Sequence, residues 1–433
     1  MSGHSRRDFA RLLALSGSAA LFPGSAFGRG AGLVDVGLTD APLPQTPAAP
    51  DEAFWREVRA RFLVPPGTHF LNAANLCPTS LPVVEAHERH LRRYEAGPSP
   101  EARSDLMDQR EEARRLLAEA LRVTPEEIVI TRNTTEGNNL VSSGLDLGPG
   151  DEVVVWDDNH PSNLRAWEQK AERFGFSLVR VPVPDRHPGA DGYVDLFTRA
   201  ITPRTRVVAF THVSSNSGDV LPAAELCAAA RDRGVLSLVD GAQSFGVLDN
   251  DLSVMRPDFY TGSMHKWPCG PKEKGLLFVR ADVQDRVQPS IVGLYAGRVG
   301  ISRRLEAHGQ RDDASIAAMV EALQLQGSVG RDVIERRARQ LAGALMDGLR
   351  QLDGVTLWTD AAPDRSAAIV IFQPGALDVR RLGAALRDEH RIIVTTRGGE
   401  RNHGLRVSPH FYNTMDEIEE VVAAIRGYLG AGV

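Results

Sequence analysis

The chain has 433 residues, enough for two domains, and its 42% hydrophobic and 24% charged content is that of an ordinary globular protein. A formal net charge of −6 argues against a broad nucleic-acid-binding face, so no nucleic-acid partner is expected. The cysteines Cys77, Cys227 and Cys269 show neither a metal-binding spacing nor a disulfide framework, and no H-E-x-x-H motif occurs. We therefore predict no metal site and expect free thiols, although a Cys77–Cys269 disulfide stays open.

The amino terminus carries an arginine pair, Arg6 and Arg7, followed by an apolar run over residues 12–22 and small residues near position 26. This order resembles a twin-arginine export signal, and the run is too short to span a bilayer. The alternative is an amphipathic surface helix, but residues 12–22 have no polar face. We predict a signal peptide over residues 1–30, a flexible linker over 31–50, and export by the twin-arginine machinery. The mature protein is then periplasmic or secreted, without stable membrane insertion.

Helices and strands alternate after residue 50. Amphipathic patterns predict helices over residues 51–62 and 110–121, and short apolar runs predict buried strands at 128–130, 152–156, 177–183, 206–210, 235–239 and 275–279. This alternation favours an α/β fold with a parallel, doubly wound sheet. We assign residues 51–325 to a large domain and 326–433 to a linker helix and a small domain. The small domain has predicted strands at 355–358, 368–372, 392–395 and 404–408.

A carboxylate and a lysine occupy turns around two neighbouring predicted strands. Asp240 ends the strand at 235–239, at the sheet edge where ligands bind in open α/β folds, and Lys266 precedes the strand at 275–279. Pyridoxal phosphate (PLP) needs a lysine amine for its Schiff base and a carboxylate at its pyridine nitrogen. The pair fits those two roles, and the alternative is a structural ion pair.

A candidate phosphate site follows the strand at 128–130. Thr134 and Thr135 stand at a predicted helix start, where hydroxyls and free backbone N–H groups converge at the positive end of the helix dipole. The alternative is an ordinary N-cap without a ligand. Together with Lys266, the turn is interpreted as a phosphate cradle.

Several of these segments resemble the class V aminotransferase family of fold-type I PLP enzymes. The matching motifs are D-G-A-Q from Asp240, S-M-H-K from Ser263 and R-V-S-P-H-F-Y-N-T from Arg406. The combination looks most like the isopenicillin N epimerase-like subgroup, and it extends over nearly the whole mature chain. The resemblance implies a fold-type I transferase with a mainly parallel seven-stranded sheet, a PLP cofactor, an amino-acid-type substrate and a homodimer.

The same resemblance assigns roles to individual residues. It implies that Asp240 and Lys266 are catalytic, and that Arg406 binds the substrate α-carboxylate, with Arg397 and Asn75 as weaker substrate contacts. Gln310 would reach the cofactor of the partner subunit. His212 would lie near the cofactor or serve as a structural histidine. The other implied cofactor-binding residues are Thr134, Thr135, His160, Ser215, Gln243, Ser263 and His265.

The implied activity is chemistry at the α-carbon of an amino acid through an aldimine of Lys266. Lys266 would take the α-proton, and epimerisation and transamination both stay open. A C–S lyase is the alternative, although the loop at residues 396–403 has no cysteine, which argues against a desulfurase. A PLP-binding protein without turnover is less favoured. A nicotinamide-dependent dehydrogenase would need a G-x-G-x-x-G motif after the first strand, and none is present.

Overall fold

The structure is a computed structural model that describes residues 45–398 and 402–432. The predicted signal peptide and most of the predicted linker lie outside the described residues. The helices are α1 (Glu52–Arg59), α2 (Leu81–Ala96), α3 (Pro100–Leu121), α4 (Thr134–Gly144), α5 (Pro161–Phe174), α6 (Ala190–Ala200), α7 (Ala223–Arg231), α8 (Leu252–Met255), α9 (Ser302–Leu305), α10 (Asp313–Ala317), α11 (Met319–Val329), α12 (Arg331–Arg350), α13 (Val379–His390) and α14 (Met415–Ala431). The strands are β1 (His69–Phe70), β2 (Ile128–Thr131), β3 (Glu152–Trp156), β4 (Ser177–Val181), β5 (Thr205–Thr211), β6 (Leu236–Asp240), β7 (Phe259–Ser263), β8 (Gly275–Val279), β9 (Val355–Leu357), β10 (Val370–Pro374), β11 (Ile392–Ile393), β12 (Thr395–Arg397) and β13 (Gly404–Val407).

Seven strands form the main sheet in the order β2-β8-β7-β6-β5-β3-β4. Strand β8 pairs antiparallel with β2 and β7, and the pairs from β7 to β4 are parallel. Strands β3, β6, β7 and β8 are buried along their whole length. Burial along whole strands is typical of a parallel sheet with both faces covered. The predicted mainly parallel sheet is confirmed.

A second sheet lies in the carboxyl-terminal part of the chain. It is antiparallel, in the order β12-β13-β10-β9. One buried apolar cluster joins it to helices α12, α13 and α14. A capping box begins α14, since Thr414 and Glu417 each bond to the backbone of the other. The domain boundary predicted after residue 325 falls inside α11, and the helical region breaks at Gly330, where φ is +94°.

The two sheets bring distant segments to one edge of the main sheet. Strands β2, β6 and β7 run in the same direction and end at Thr131, Asp240 and Ser263. Strand β1 pairs with β11, and Asn72 bridges to Ser408, so the residues before Asn75 lie beside the end of β13. Across the described ranges, no helix has the length and apolarity needed to cross a membrane.

Candidate active site

A cavity of about 310 Å³ opens at this edge of the main sheet. It collects twelve of the fourteen residues to which the sequence analysis gave a role, and they come from the amino-terminal segment, both sheets and the loops between them. They are Asn75, Thr134, Thr135, His160, Ser215, Asp240, Gln243, Ser263, His265, Lys266, Arg397 and Arg406.

Asp240 supplies a carboxylate to the cavity, and three hydrogen bonds hold it. Its Oδ2 accepts hydrogen bonds from Asn138 Nδ2 at 2.8 Å and Asn163 Nδ2 at 3.2 Å. Its Oδ1 accepts from the backbone N–H of Ala242 at 3.1 Å. Only 2% of the residue is exposed, so these bonds fix the carboxylate in one orientation at the end of β6.

The amino-terminal end of α4 is arranged as an anion site. Asn133 is the N-cap and accepts from the N–H of Glu136, so neither Thr134 nor Thr135 is the N-cap. This leaves the Thr134 and Thr135 hydroxyls at the cavity. Thr134 Oγ1 lies 2.7 Å from Ser263 Oγ, which joins the helix start to the end of β7. Hydroxyls at a positive helix end suit a phosphate group.

The loop after β7 presents Lys266 and His265 to the cavity, both half-buried. Burial lowers the pKa of Lys266 to about 8, while the nearby Asp240 opposes that shift and Arg406 adds to it. Burial, with the charges of Lys266 and Lys272, lowers the pKa of His265 to about 4. Near neutral pH a useful fraction of Lys266 is therefore the neutral amine, which is the nucleophilic and basic form.

Arg406 carries a buried charge with few protein partners. The residue is 4% exposed and its Nη1 donates to Ser215 O at 3.4 Å. Its Nε has no hydrogen-bond partner among the described residues. Burial, with the charge of Arg397, lowers the pKa of Arg406 to about 10. A buried guanidinium facing a cavity with unused donors is suited to bind an anion such as a carboxylate.

The other predicted residues take positions around these groups. His160 caps α5, and its Nδ1 accepts from Ser162 N at 3.2 Å while the ring stays exposed at the cavity. Gln243 donates to Ala74 O at 2.8 Å and accepts from Trp267 Nε1 at 2.9 Å. Asn75 lies at the cavity edge beside this contact.

Two predicted residues lie outside the cavity lining. Gln310 is exposed, and its predicted contact with a partner subunit stays a prediction. His212 is buried, and burial lowers the pKa of its ring to about 4. Its backbone N–H donates to Asp240 O at 3.0 Å. This bond joins the ends of β5 and β6, so His212 has a structural position in the sheet and does not line the cavity.

Sequence reasoning missed several polar residues of the site. Asn138 and Asn163 hold Asp240, and Asn133, Ser162 and Thr395 also line the cavity. A signal for Asn138 was available, because it follows Thr134 by four residues and so lies on the same face of α4. Asn163 follows His160 by only three residues at the start of α5, and its contact with β6 has no local signature.

The residues present fit PLP on grounds of the structure alone. The cavity combines an amine of lowered pKa, a firmly held carboxylate and a hydroxyl-lined helix start. Gly275 lets β8 approach this helix start, because a Cβ there would lie 2.7 Å from Asn133 Cα. Lys266 would hold the cofactor covalently, Asp240 would face its pyridine nitrogen, and Thr134 and Ser263 would bind its phosphate.

The fold and the cavity together define a PLP-dependent enzyme of fold type I. The chain belongs to the class-V aminotransferase family, whose model matches residues 69–421. It is 33% identical to the isopenicillin N epimerase of Amycolatopsis lactamdurans over 86% of this chain and 98% of that protein. The predicted family and its epimerase-like subgroup are confirmed.

Two solved structures of the protein C-DES have the same fold. One, a mutant with glycine covalently linked to the PLP cofactor, has a TM-score of 0.78 and 27% identity, and covers 87% of this chain and 99% of that one. The other, a complex of the cystine C–S lyase C-DES with cysteine persulfide, has a TM-score of 0.77 and 28% identity, and covers 82% and 97%. The predicted fold class and the predicted cofactor are confirmed.

Proposed function

We propose that this chain acts at the α-carbon of an amino acid or amino-acid-derived substrate, as an epimerase or an aminotransferase. The proposal depends on one observation: Lys266, Asp240 and Arg406 face a single cavity. When bound, PLP supplies an electron-accepting ring that stabilises negative charge at the α-carbon. Similarity to an isopenicillin N epimerase supports the epimerase form.

Three side chains of the cavity have separate roles in this proposal. Arg406 binds the α-carboxylate with its free donors and so orients the α-carbon. Lys266 takes the α-proton on its Nζ, which its lowered pKa permits near neutral pH. Asp240, held by Asn138 and Asn163, keeps a negative charge where the pyridine nitrogen would lie.

The deciding experiment offers single amino acids to the purified protein in D₂O. Deuterium at the α-carbon with release of the D-isomer identifies epimerisation, and release of a keto acid identifies transamination. A bound cofactor with no α-deuteration for any amino acid would mean that the protein binds PLP without turnover.

A second candidate is C–S bond cleavage, which the likeness to C-DES favours. In the sequence the loop at residues 396–403 has no cysteine, so a released sulfur atom would leave with the product and not on this loop. Cystine is the probe: release of pyruvate and ammonia supports the lyase, and α-deuteration without either supports the epimerase.

We also propose a homodimer. The exposed apolar residues Val292, Leu294 and Tyr295 are 86%, 93% and 51% accessible. A surface cavity of about 420 Å³ lies beside them, lined by Thr135 and Ile291, at the phosphate end of the candidate site. A second copy covering this face would account for both features. Leu294→Asp is expected to give monomers by sedimentation and to weaken PLP retention, and an unchanged dimer would contradict this interface.

We place the mature protein in the periplasm or outside the cell, delivered by the twin-arginine machinery. The arginine pair before the short apolar run supports this localisation. Export in the folded state suits an enzyme that receives its cofactor before transport.

A further inference from the structure

Trp267, the residue that follows Lys266, is held by three side chains from distant parts of the chain, two at its carbonyl oxygen and one at its indole ring. The carbonyl oxygen of Trp267 accepts from His410 Nε2 at 2.6 Å and from Gln326 Nε2 at 2.9 Å. The indole Nε1 of Trp267 donates to Gln243 Oε1 at 2.9 Å. All four residues are buried, so both ends of Trp267 are fixed directly beside the reactive amine.

His410 is a fixed donor in this arrangement. A carbonyl oxygen only accepts hydrogen bonds, so Nε2 of His410 carries the hydrogen. Burial lowers the pKa of His410 to about 3, which keeps the ring neutral across the working range of pH. Its Nδ1 has no partner among the described residues, and its ring packs edge-to-face on Trp267 at 5.0 Å.

His410 also connects two functional parts of the site. It stands four residues after Arg406, on the segment that leaves β13. Its backbone N–H donates to Asn413 Oδ1 at 2.9 Å, and Asn413 in turn donates to Glu417 at the start of α14. A line of hydrogen bonds therefore runs from the start of α14 through Asn413 and His410 to the loop that carries Lys266, and the backbone connects His410 to β13.

We propose that His410 is a positioning residue for Lys266. By fixing the Trp267 carbonyl it sets the direction in which the Lys266 side chain leaves the backbone, and it holds that direction relative to Arg406. The inference rests on the proposed function only in taking Lys266 as the reactive amine. The binding of the α-carboxylate is a separate task, so the loss of His410 should impair turnover more than substrate binding.

The first test measures amide hydrogen exchange of the purified protein with and without PLP. The reporters are the N–H groups of Cys269 and Gly270, which donate to Lys266 O at 2.9 Å and Met264 O at 2.7 Å. His410→Phe keeps an aromatic ring but removes the donor, and it is expected to speed exchange of these amides at least tenfold. His410→Gln restores a donor and is expected to recover most of the protection.

The matched control is Ser237→Ala, which removes a buried hydrogen bond to Asp258 of 2.9 Å at the opposite end of β6. It should lower the melting temperature without changing exchange at residues 266–270. If these amides exchange in His410→Phe at the same rate as in the parent protein, the proposal is wrong. If that variant does not fold, Gln326→Met removes the other donor to the same carbonyl and should increase exchange at the same amides.

Kinetics provide the second test. With an amino acid that reacts, His410→Phe should lower kcat at least tenfold and leave KM within about threefold, and His410→Gln should recover kcat. If His410→Phe lowers kcat and the affinity for the amino acid by the same factor, His410 does not act by positioning Lys266 only. If no amino acid reacts with the parent protein, the exchange result still tests His410, and only the proposed function fails.

Discussion

Asn138 Nδ2 donates to Asp240 Oδ2 over 2.8 Å, which ties the middle of α4 to the carboxyl end of β6. The same helix begins with Thr134, which bonds to Ser263 at the end of β7. About one helical turn, ~6 Å of rise, therefore separates the candidate phosphate site from Asn138, which holds the Asp240 carboxylate. The spacing between these two contacts is fixed by a single rigid element.

Lys266 is expected to be the residue that binds PLP covalently. Reduction of the holoenzyme with borohydride followed by peptide mapping should label Lys266, and Lys266→Ala should abolish the label while the fold is retained. A label on Lys170, Lys272 or Lys274, the other lysines of the sequence, would overturn the assignment.

The lowered pKa of Lys266 predicts a pH dependence for capture of PLP by cofactor-free protein. The rate should rise with pH through a midpoint near 8, because only the neutral amine attacks an aldehyde. Arg406→Met should move the midpoint up, since Arg406 depresses this pKa, and Asp240→Asn should move it down. A midpoint that stays near 10 in the parent would contradict a buried amine.

The same shift has a consequence for stability. Between about pH 8 and the ordinary lysine pKa of 10.5, the unfolded chain binds more protons at this position than the folded chain. The contribution of Lys266 to the free energy of unfolding should therefore rise with pH across that window. Urea titrations of cofactor-free Lys266→Met, compared with the parent, should lack this rise.

Asp240→Asn is expected to destabilise the cofactor-free protein by ~1–3 kcal/mol. Both carboxylate oxygens accept from N–H groups, so either orientation of an asparagine amide would set its NH₂ against another donor. Thermal unfolding measures the effect. Asn75→Ala, at the cavity edge and outside this contact, is the control and should change stability less. Equal stability of Asp240→Asn and the parent would show that the contacts at Asp240 contribute little.

Arg406→Met is expected to weaken binding of amino acids by ~2–5 kcal/mol, because the carboxylate loses its charged partner. Arg406→Lys should weaken binding by less, because a lysine keeps the charge but loses the two-pronged geometry. The measurement is a titration of the cofactor absorbance with an amino acid and with its decarboxylated amine. PLP content should stay normal, since Thr134 and Ser263, which bond to each other, form the candidate phosphate site and Arg406 bonds to Ser215 instead. Unchanged affinity for the amino acid would move the assignment to Arg397, which lines the same cavity.

Changing Arg6 and Arg7 together to lysine is expected to retain the precursor in the cytoplasm, because the twin-arginine pathway depends on that pair. Fractionation followed by immunoblotting measures the distribution. Arg29→Lys lies beyond the apolar run and should be exported normally. Mature protein outside the cytoplasm in the paired variant would refute the signal.

The local sequence was sufficient to identify the site residues that lie at strand ends and helix starts. Asp240 ends a buried strand, Thr134 opens a helix and Lys266 precedes another strand, so pattern and turn position identified all three. Their chemistry is a property of short contiguous segments. The family resemblance then supplied Arg406, His160 and Gln243, whose local patterns are ambiguous by themselves.

Only the tertiary structure determined how these residues are held. The partners of Asp240 come from α4 and α5, and the carbonyl of Trp267 is held by groups 59 and 143 positions away. Cys77 and Cys269 are both buried and free, which the sequence had left open. Such contacts depend on the packing of separate elements. They produce no periodic pattern and no characteristic residue spacing in the sequence. For this reason the amino-acid sequence determined the chemistry of the site, and the packing of the two sheets determined its orientation.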